Sequence, residues 1–277
     1  MDMIIMALPV FALLVVAEVL YTRSQGRNAY ALKDFGGSMS QLGINSLVQL
    51  AIGGALISLH FFLYQFRMFE VPNTVWGWVL TFVVIDFVFY WYHRAQHRVR
   101  FMWCAHVVHH SSEHMNLGTA LRQSPTGPFT RALFYWPLPL LGFHPLMVAG
   151  AGAVATIYAF FTHTEVVRKL WAPLEWWLVT PSHHRAHHGS NPEYVDRNYG
   201  NVFIVWDRLF STFAPEVAPV RYGLITNIKT HHPLRIAFAE WLRLFADSFR
   251  APSLSHLWRL WLHPPRSQPS RTQPDFS

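Results

Sequence analysis

His93-Arg94-Ala95-Gln96-His97, followed closely by His106-Val107-Val108-His109-His110, decides how this chain is read, and His184-Arg185-Ala186-His187-His188 answers it downstream. Imidazole is the commonest metal-ligating side chain, and its neutral form suits iron, zinc, copper and nickel. Spacings of three and four residues put side chains on one helix face, so each box can aim several nitrogens at one point. The boxes hold eight histidines. Because an ordinary zinc site uses three or four ligands, that number implies two metal ions. On one unbroken helix the nine residues from His97 to His106 would put the first two boxes on opposite faces, at roughly 100° per residue. A shared site therefore requires a bend between Arg98 and Trp103.

Around this stretch the chain reads as a membrane protein. Hydrophobic residues make up 52% of the 277 and charged residues only 13%, about half the usual soluble share. The net charge of +7 comes without a basic stripe or nucleic-acid motif, so no nucleic-acid partner is expected. The charges flank apolar segments, which suits anionic lipid headgroups. Cys104, alone of its kind, can form no intrachain disulfide and reads as a small buried apolar residue.

Residues 4–20 are apolar except Glu18 and are long enough, with flanking help, to cross a hydrocarbon layer of about 30 Å. No basic n-region precedes them, which argues against a signal peptide. Glu18, at the exit end, is expected to reach the headgroups. Residues 21–41 read as a polar connector, 44–66 as a second span with Gly53-Gly54 for close packing, and 67–73 as a hinge containing Pro72. A third span, 74–91, ends in the aromatic belt Tyr90-Trp91-Tyr92. Residues 129–161, interrupted by Pro137, Pro139 and Pro145, are too long for one span and predict a hairpin that enters and returns. The expected architecture is thus all-α and integral to the membrane. It has about four transmembrane helices in two hairpins and a cytoplasmic helical cap holding the dimetal site. The basic connectors after the first and third spans place that cap in the cytoplasm. Residues 234–262 suit helix lying on the membrane surface, residues 1–263 form one membrane-embedded domain with the His boxes inside 80–225, and the Pro/Ser/Gln-rich residues 264–277 form a disordered tail.

Twelve of the seventeen histidines fall between His93 and His188, so the enrichment is regional. His163 stands at the end of an apolar stretch on the side where His93 emerges and is expected to join the ligands. Thr180-Pro181 has the form of an N-cap followed by proline at the first helical position, starting a short helix that Gly189 ends. His183 points away from that helix's ligand face and reads as supporting. His114 is a weaker extension of the second box, and His60, His144, His231, His232, His256 and His263 read as ordinary. Asp86 lies within the third span, about 10 Å of helical rise before His93, where a carboxylate marks function. It is expected to hydrogen-bond a ligating imidazole and raise its basicity.

Three boxes of the form H-x3-H, H-x2-H-H and H-x2-H-H around membrane spans resemble the fatty acid hydroxylase/sterol desaturase superfamily, over most of residues 80–225. The strings His109-His110-Ser111-Ser112-Glu113, Asn116 to Ser124, His163-Thr164-Glu165-Val166, Thr180 to Arg185, Asn198-Tyr199-Gly200 and Trp206-Asp207 are similar to the tetrahydrobiopterin-dependent hydroxylases of alkylglycerol ether lipids and their bacterial relatives. The chain departs from them at Arg98 and His114, where those enzymes carry acidic residues. The resemblance implies a non-haem di-iron monooxygenase. Its ligands would be His93, His97, His106, His109, His110, His163, His184, His187 and His188, with Asp86, Glu165 and Asn198 as further catalytic candidates. It also implies a membrane lipid substrate, O2, and electrons from a donor protein or a reduced pterin such as tetrahydrobiopterin. The setting would be a bacterial inner membrane, or the endoplasmic reticulum in a eukaryote. A desaturase with the same irons is the nearest alternative. A membrane metal-binding or transport protein would instead line a path between spans with its ligands, and a zinc hydrolase would need an acid/base carboxylate, for which Glu165 is the nearby candidate.

Overall fold

A computed structural model describes residues 3–265 of the chain. Thirteen helices are assigned there in chain order: α1 Met3–Ser24, α2 Leu32–Tyr64, α3 Val75–Arg98, α4 Arg100–His110, α5 Leu117–Ala120, α6 Gly127–Tyr135, α7 Pro137–Leu140, α8 Pro145–Thr162, α9 Ala172–Trp177, α10 Pro181–His187, α11 Val205–Leu209, α12 Pro233–Phe249 and α13 Leu254–Leu262. Two isolated bridges, Leu178–Phe203 and Gly189–Tyr222, are the β pairing found among the described residues. The expected tail, apart from Pro264 and Pro265, lies outside them.

Among the described residues four helices, α1, α2, α3 and α8, are long and apolar enough to cross a membrane. Of the apolar window in α8, 39% is buried inside the chain, against none for α2. So α8 is the central post and α2 lies at the periphery. The helices α3 and α8 run side by side in the same direction, as Trp78 packing at Gly150 and Met147 near Gly77 show at their starts. Thr74 caps α3 by accepting from the Gly77 amide at 3.2 Å, and His144 caps α8 from Leu146 at 3.2 Å, with Pro145 at the first position. Phe11 of α1 stacks on Phe160 of α8 at 3.9 Å between ring centres, within a cluster shared with Val15, Leu117 and Ala120.

The stretch 129–161 does enter and return, but its two limbs are unequal. The first is a short broken helix, α6–α7, interrupted at Trp136 where Pro137 withholds a backbone donor. It runs antiparallel to α3: the Tyr92 hydroxyl meets the Thr130 hydroxyl at 3.1 Å, and Leu138 packs with Ile85. It then turns through Gly142, whose φ of +93° suits glycine and where a Cβ would sit 2.3 Å from the Phe69 carbonyl. That turn bonds to the hinge after α2, Val71 donating to Gly142 at 3.0 Å.

Two expectations need correction. The polar connector 21–41 is mostly helix: α1 runs on to Ser24 and α2 begins at Leu32, leaving a short link. Asp34, Ser38 and Gln41 of early α2 are buried and not solvated. Asp34 accepts from Arg122 at 3.1 Å, and Gln41 donates to the Pro233 carbonyl at 2.8 Å. A helix of 33 residues is about 50 Å long against a hydrocarbon layer of about 30 Å. Its first turns therefore stand above the membrane and pack into the cap. Glu18 likewise does not reach out to headgroups. It is buried at 7% exposure and accepts hydrogen bonds from Tyr30, Thr164 and the Leu117 amide.

The surface stretch 234–262 divides into α12 and α13. Ile236 packs against Trp103, Val107 and Val108 of α4, while Leu242, Phe245 and Phe249 stay exposed. Arg100, buried at the start of α4, pairs with Glu240 at 3.1 Å and Asp247 at 2.7 Å, fixing α12 over the cap.

Candidate metal centre

The required bend is a single residue. Val99 adopts an extended conformation (φ −123°, ψ 116°) between α3 and α4. That one extended residue turns α4 back, so that the His106 Nε2 lies 2.9 Å from the His93 Nε2. Thr180 and Pro181 start α10 as expected. The imidazole of His183 completes a capping box there and meets Glu175 at 3.1 Å.

Nine histidines converge in two groups, within each of which one nitrogen per ring lies within 4.8 Å of the others. They are His93, His97, His106, His110 and His187, and His109, His163, His184 and His188. The helices α4 and α10 contribute to both. Along each, the first and last positions of H-x2-H-H share a face and enter one group, while the position three residues on enters the other. The groups abut, with the rings of His110 and His188 stacked at 4.4 Å. His60, His114, His144, His183, His231, His232, His256 and His263 belong to neither.

The hydrogen bonds of the rings decide which nitrogen faces inward. A backbone carbonyl can only accept, so a ring nitrogen bonded to one must carry the proton. The Nδ1 of His93 donates to Tyr199 at 2.8 Å, that of His163 to Ala159 at 2.7 Å, that of His187 to Arg197 at 2.8 Å and that of His109 to Arg122 at 3.3 Å. Their Nε2 atoms therefore present lone pairs. Yet the Nε2 of His163 lies 3.1 Å from that of His109 and 2.9 Å from that of His184, and the Nε2 atoms of His97 and His187 are buried with no hydrogen-bond partner. Ligands about 2.1 Å from a common ion would stand about 3.0 Å apart at right angles and about 3.4 Å apart in a tetrahedron. The spacings and the orphaned nitrogens fit cations bound among the rings.

Burial keeps the cluster neutral. It drives the imidazoles of His106, His109, His110, His184 and His188 well below their ordinary pKa and those of His163 and His187 to about 4. Neutral rings bind metal without first losing a proton.

The other candidates stand away from the rings. Asp86 bonds no imidazole. Its carboxylate accepts from the amides of Val202 at 2.9 Å and Phe203 at 3.1 Å and from the Trp206 indole at 2.8 Å. It thus ties α3 to the loop whose Tyr199 carbonyl orients His93, one step further from the site than its sequence position suggests. Asn198, wholly buried at φ 57°, donates to His183 and Ala214 carbonyls and accepts from the Ala214 amide. Glu165 accepts from Arg27 at 3.2 Å and Tyr222 at 3.1 Å.

Three supporting residues went without a role in the sequence reading. Asp207 accepts from the amides of Tyr199 and Gly200, both at 2.7 Å, and from Thr212, and burial lifts its carboxyl to about 6. Arg122 bonds Val108 and Asp34 while its own carbonyl holds His109. Arg185, between two ligand positions of α10, pairs with Glu216 at 2.7 Å and bonds the carbonyls of Thr164, Val167 and Arg168 just after His163. Only Arg185, a charge inside a His box, carried a signal of position; Asp207 and Arg122 lie well away from any box in the sequence. The carbonyls that orient the rings carry none, because every residue has one.

These features define a helical membrane protein with a buried, histidine-lined pocket suited to metal. Residues 78–212, which contain all nine converging histidines, match the fatty acid hydroxylase family. Over 248 residues it is 36% identical to an alkylglycerol monooxygenase of Xenopus tropicalis, covering 89% of this chain and 55% of that protein. The human alkylglycerol monooxygenase is 38% identical over 241 residues, 86% of this chain and 53% of its own length. An ornithine lipid hydroxylase of Rhizobium tropici is 32% identical over 136 residues, 49% and 41% of the two chains. The chain spans about half the length of the alkylglycerol relatives it matches. No solved structure matches it.

Proposed function

We propose that this protein is an O2-dependent lipid hydroxylase that inserts oxygen into a C–H bond of a membrane lipid, of the alkylglycerol ether type. The observation that supports it most is the convergence of nine neutral imidazoles, four of which have their Nδ1 protons held by backbone carbonyls and so turn Nε2 lone pairs toward the cluster. One iron would sit among His93, His97, His106, His110 and His187, and a second among His109, His163, His184 and His188. When bound, the irons supply the oxygen activation and hydrogen abstraction that imidazoles alone cannot.

The protein's own part is placement. Carbonyls of Tyr199, Ala159, Arg197 and Arg122 hold four rings in one tautomer, and Asp207 holds the loop that carries Tyr199. The shell carries no negative charge, so cations in it keep their attraction for anionic oxygen species. In an ether lipid, hydroxylation beside the ether oxygen gives a hemiacetal that collapses to an aldehyde and an alcohol. Electrons come from a donor protein or a reduced pterin such as tetrahydrobiopterin, since no flavin or nucleotide motif is present. Residues 1–263 act as one membrane-embedded domain, with the site facing the cytoplasm of a bacterial inner membrane, or of the endoplasmic reticulum in a eukaryote. Transport of metal is disfavoured because both groups gather at one end of the spans.

The test is metal analysis of protein purified without air, combined with O2 uptake. About two irons per chain and uptake that depends on added alkylglycerol are expected. Active protein carrying zinc alone would overturn the reading, and a double bond in the product would point to the desaturase.

A further inference from the structure

Between α1 and α8 lies a cavity of about 490 Å³, within the range of small-molecule sites. Its walls are apolar, including Leu14, Ala17 and Phe161. Toward the cap it is bounded by Thr162 and Thr164, on either side of His163, and by Pro181, the first residue of the helix carrying His184 and His188. Thr162 and Thr164 thus place its inner end beside His163 of the four-histidine group. The exposed Tyr21 and Phe161 form part of its rim, so it opens outward along the α1–α8 crevice, where the lipid tails of a membrane would lie.

Among the described residues, one charged side chain lines this cavity, Glu18. Its Oε2 accepts from Tyr30 and from the Leu117 amide, and its Oε1 from Thr164. A carboxylate has about four acceptor sites, two per oxygen. Three are used here, leaving one on Oε1. A ligand group placed there must donate a hydrogen bond. A phosphate or carboxylate headgroup would instead bring like charge against a carboxylate held out of water.

We infer that the α1–α8 cavity is the substrate chamber, and that Glu18 selects within it a single-chain lipid whose head carries neutral hydroxyl donors over one with an anionic head. The inference rests on the proposed lipid hydroxylation and adds to it where the lipid sits, which histidine group it faces and how its headgroup is chosen. The apolar walls take the hydrocarbon chain, and the chain's polar end stops at Glu18, within reach of the residues flanking His163.

The test uses full-length protein in neutral detergent and two probes of equal chain length bearing a tail diazirine, a 1-alkylglycerol and a fatty acid. After irradiation, peptides are mapped by mass spectrometry. The alkylglycerol is expected to label residues within 14–21 and 158–170, with the fatty acid labelling weaker by about tenfold. Ala17→Trp, which fills the chamber, should abolish this labelling while metal content stays at the wild-type level. Val167→Trp, at another lining position, does the same and stands in if Ala17→Trp fails to fold. Glu18→Gln should bring the two probes' labelling close to equal. Labelling that maps elsewhere, or that survives both tryptophan variants in folded, metal-loaded protein, overturns the chamber. Unchanged probe preference in Glu18→Gln overturns the selection. Labelling as expected without lipid-dependent O2 uptake would instead refute hydroxylation and leave the chamber standing.

Discussion

Asp86→Asn separates two accounts of an acidic residue inside α3. The carboxylate is wholly buried and receives three donors, Val202 on one oxygen and Phe203 with Trp206 on the other. An amide of the same shape keeps one oxygen. Oriented to serve Phe203 and Trp206, it turns its NH2 toward the Val202 N–H, donor against donor. One charge-assisted hydrogen bond is lost and one buried N–H is left unsatisfied, a cost of about 2–5 kcal/mol. For a chain of this size that lowers the apparent unfolding midpoint by about 5–15 °C. The perturbed loop carries the Tyr199 carbonyl that orients His93, so metal loss should follow the loss of stability and not precede it. The assay is thermal unfolding in detergent with metal content measured on the same samples. An Asn variant that sheds metal at an unchanged midpoint would refute this reasoning and return Asp86 to direct contact with a ligand ring.

Removing one ring should act on one group: His163→Ala is expected to lower bound iron from about two per chain to about one, and a variant that loses both or neither contradicts the partition. Asp34→Ala leaves the Arg122 guanidinium buried without its partner, which should cost about 3–5 kcal/mol in denaturant unfolding, and a cost below 1 would show that the pair is solvated. Acid should destabilise the metal-free protein. His163 and His187 sit at about 4 when folded against an ordinary 6.5, so the unfolded chain binds more protons in between, and stability is intact above about pH 6.5 and falls toward pH 4. Each contributes about 1.4 kcal/mol per pH unit in that window. Asp207, raised to about 6, works in the opposite direction below that pH, but several histidines outweigh it. A chelated sample whose midpoint is flat from pH 7 to 5 would contradict this.

The sequence by itself singled out the nine histidines that converge and the kind of scaffold that carries them. Apolar runs of spanning length leave few alternatives to membrane helices, and three- and four-residue His spacing has meaning on any helix. The bend at Val99 was also legible, because helical phase alone forbids both boxes from facing one site without it. Only the tertiary structure decided how nine histidines divide into five and four, since the partition depends on where α4 and α10 cross and each sends rings to both groups. It also decided the roles of Asp86, Glu18 and the early polar residues of α2. A buried polar group takes whatever donors the fold brings to it, and for Asp86 these are backbone amides more than a hundred residues away. Spacing along the chain fixes which side chains share a face, but the partner across from that face is set by packing.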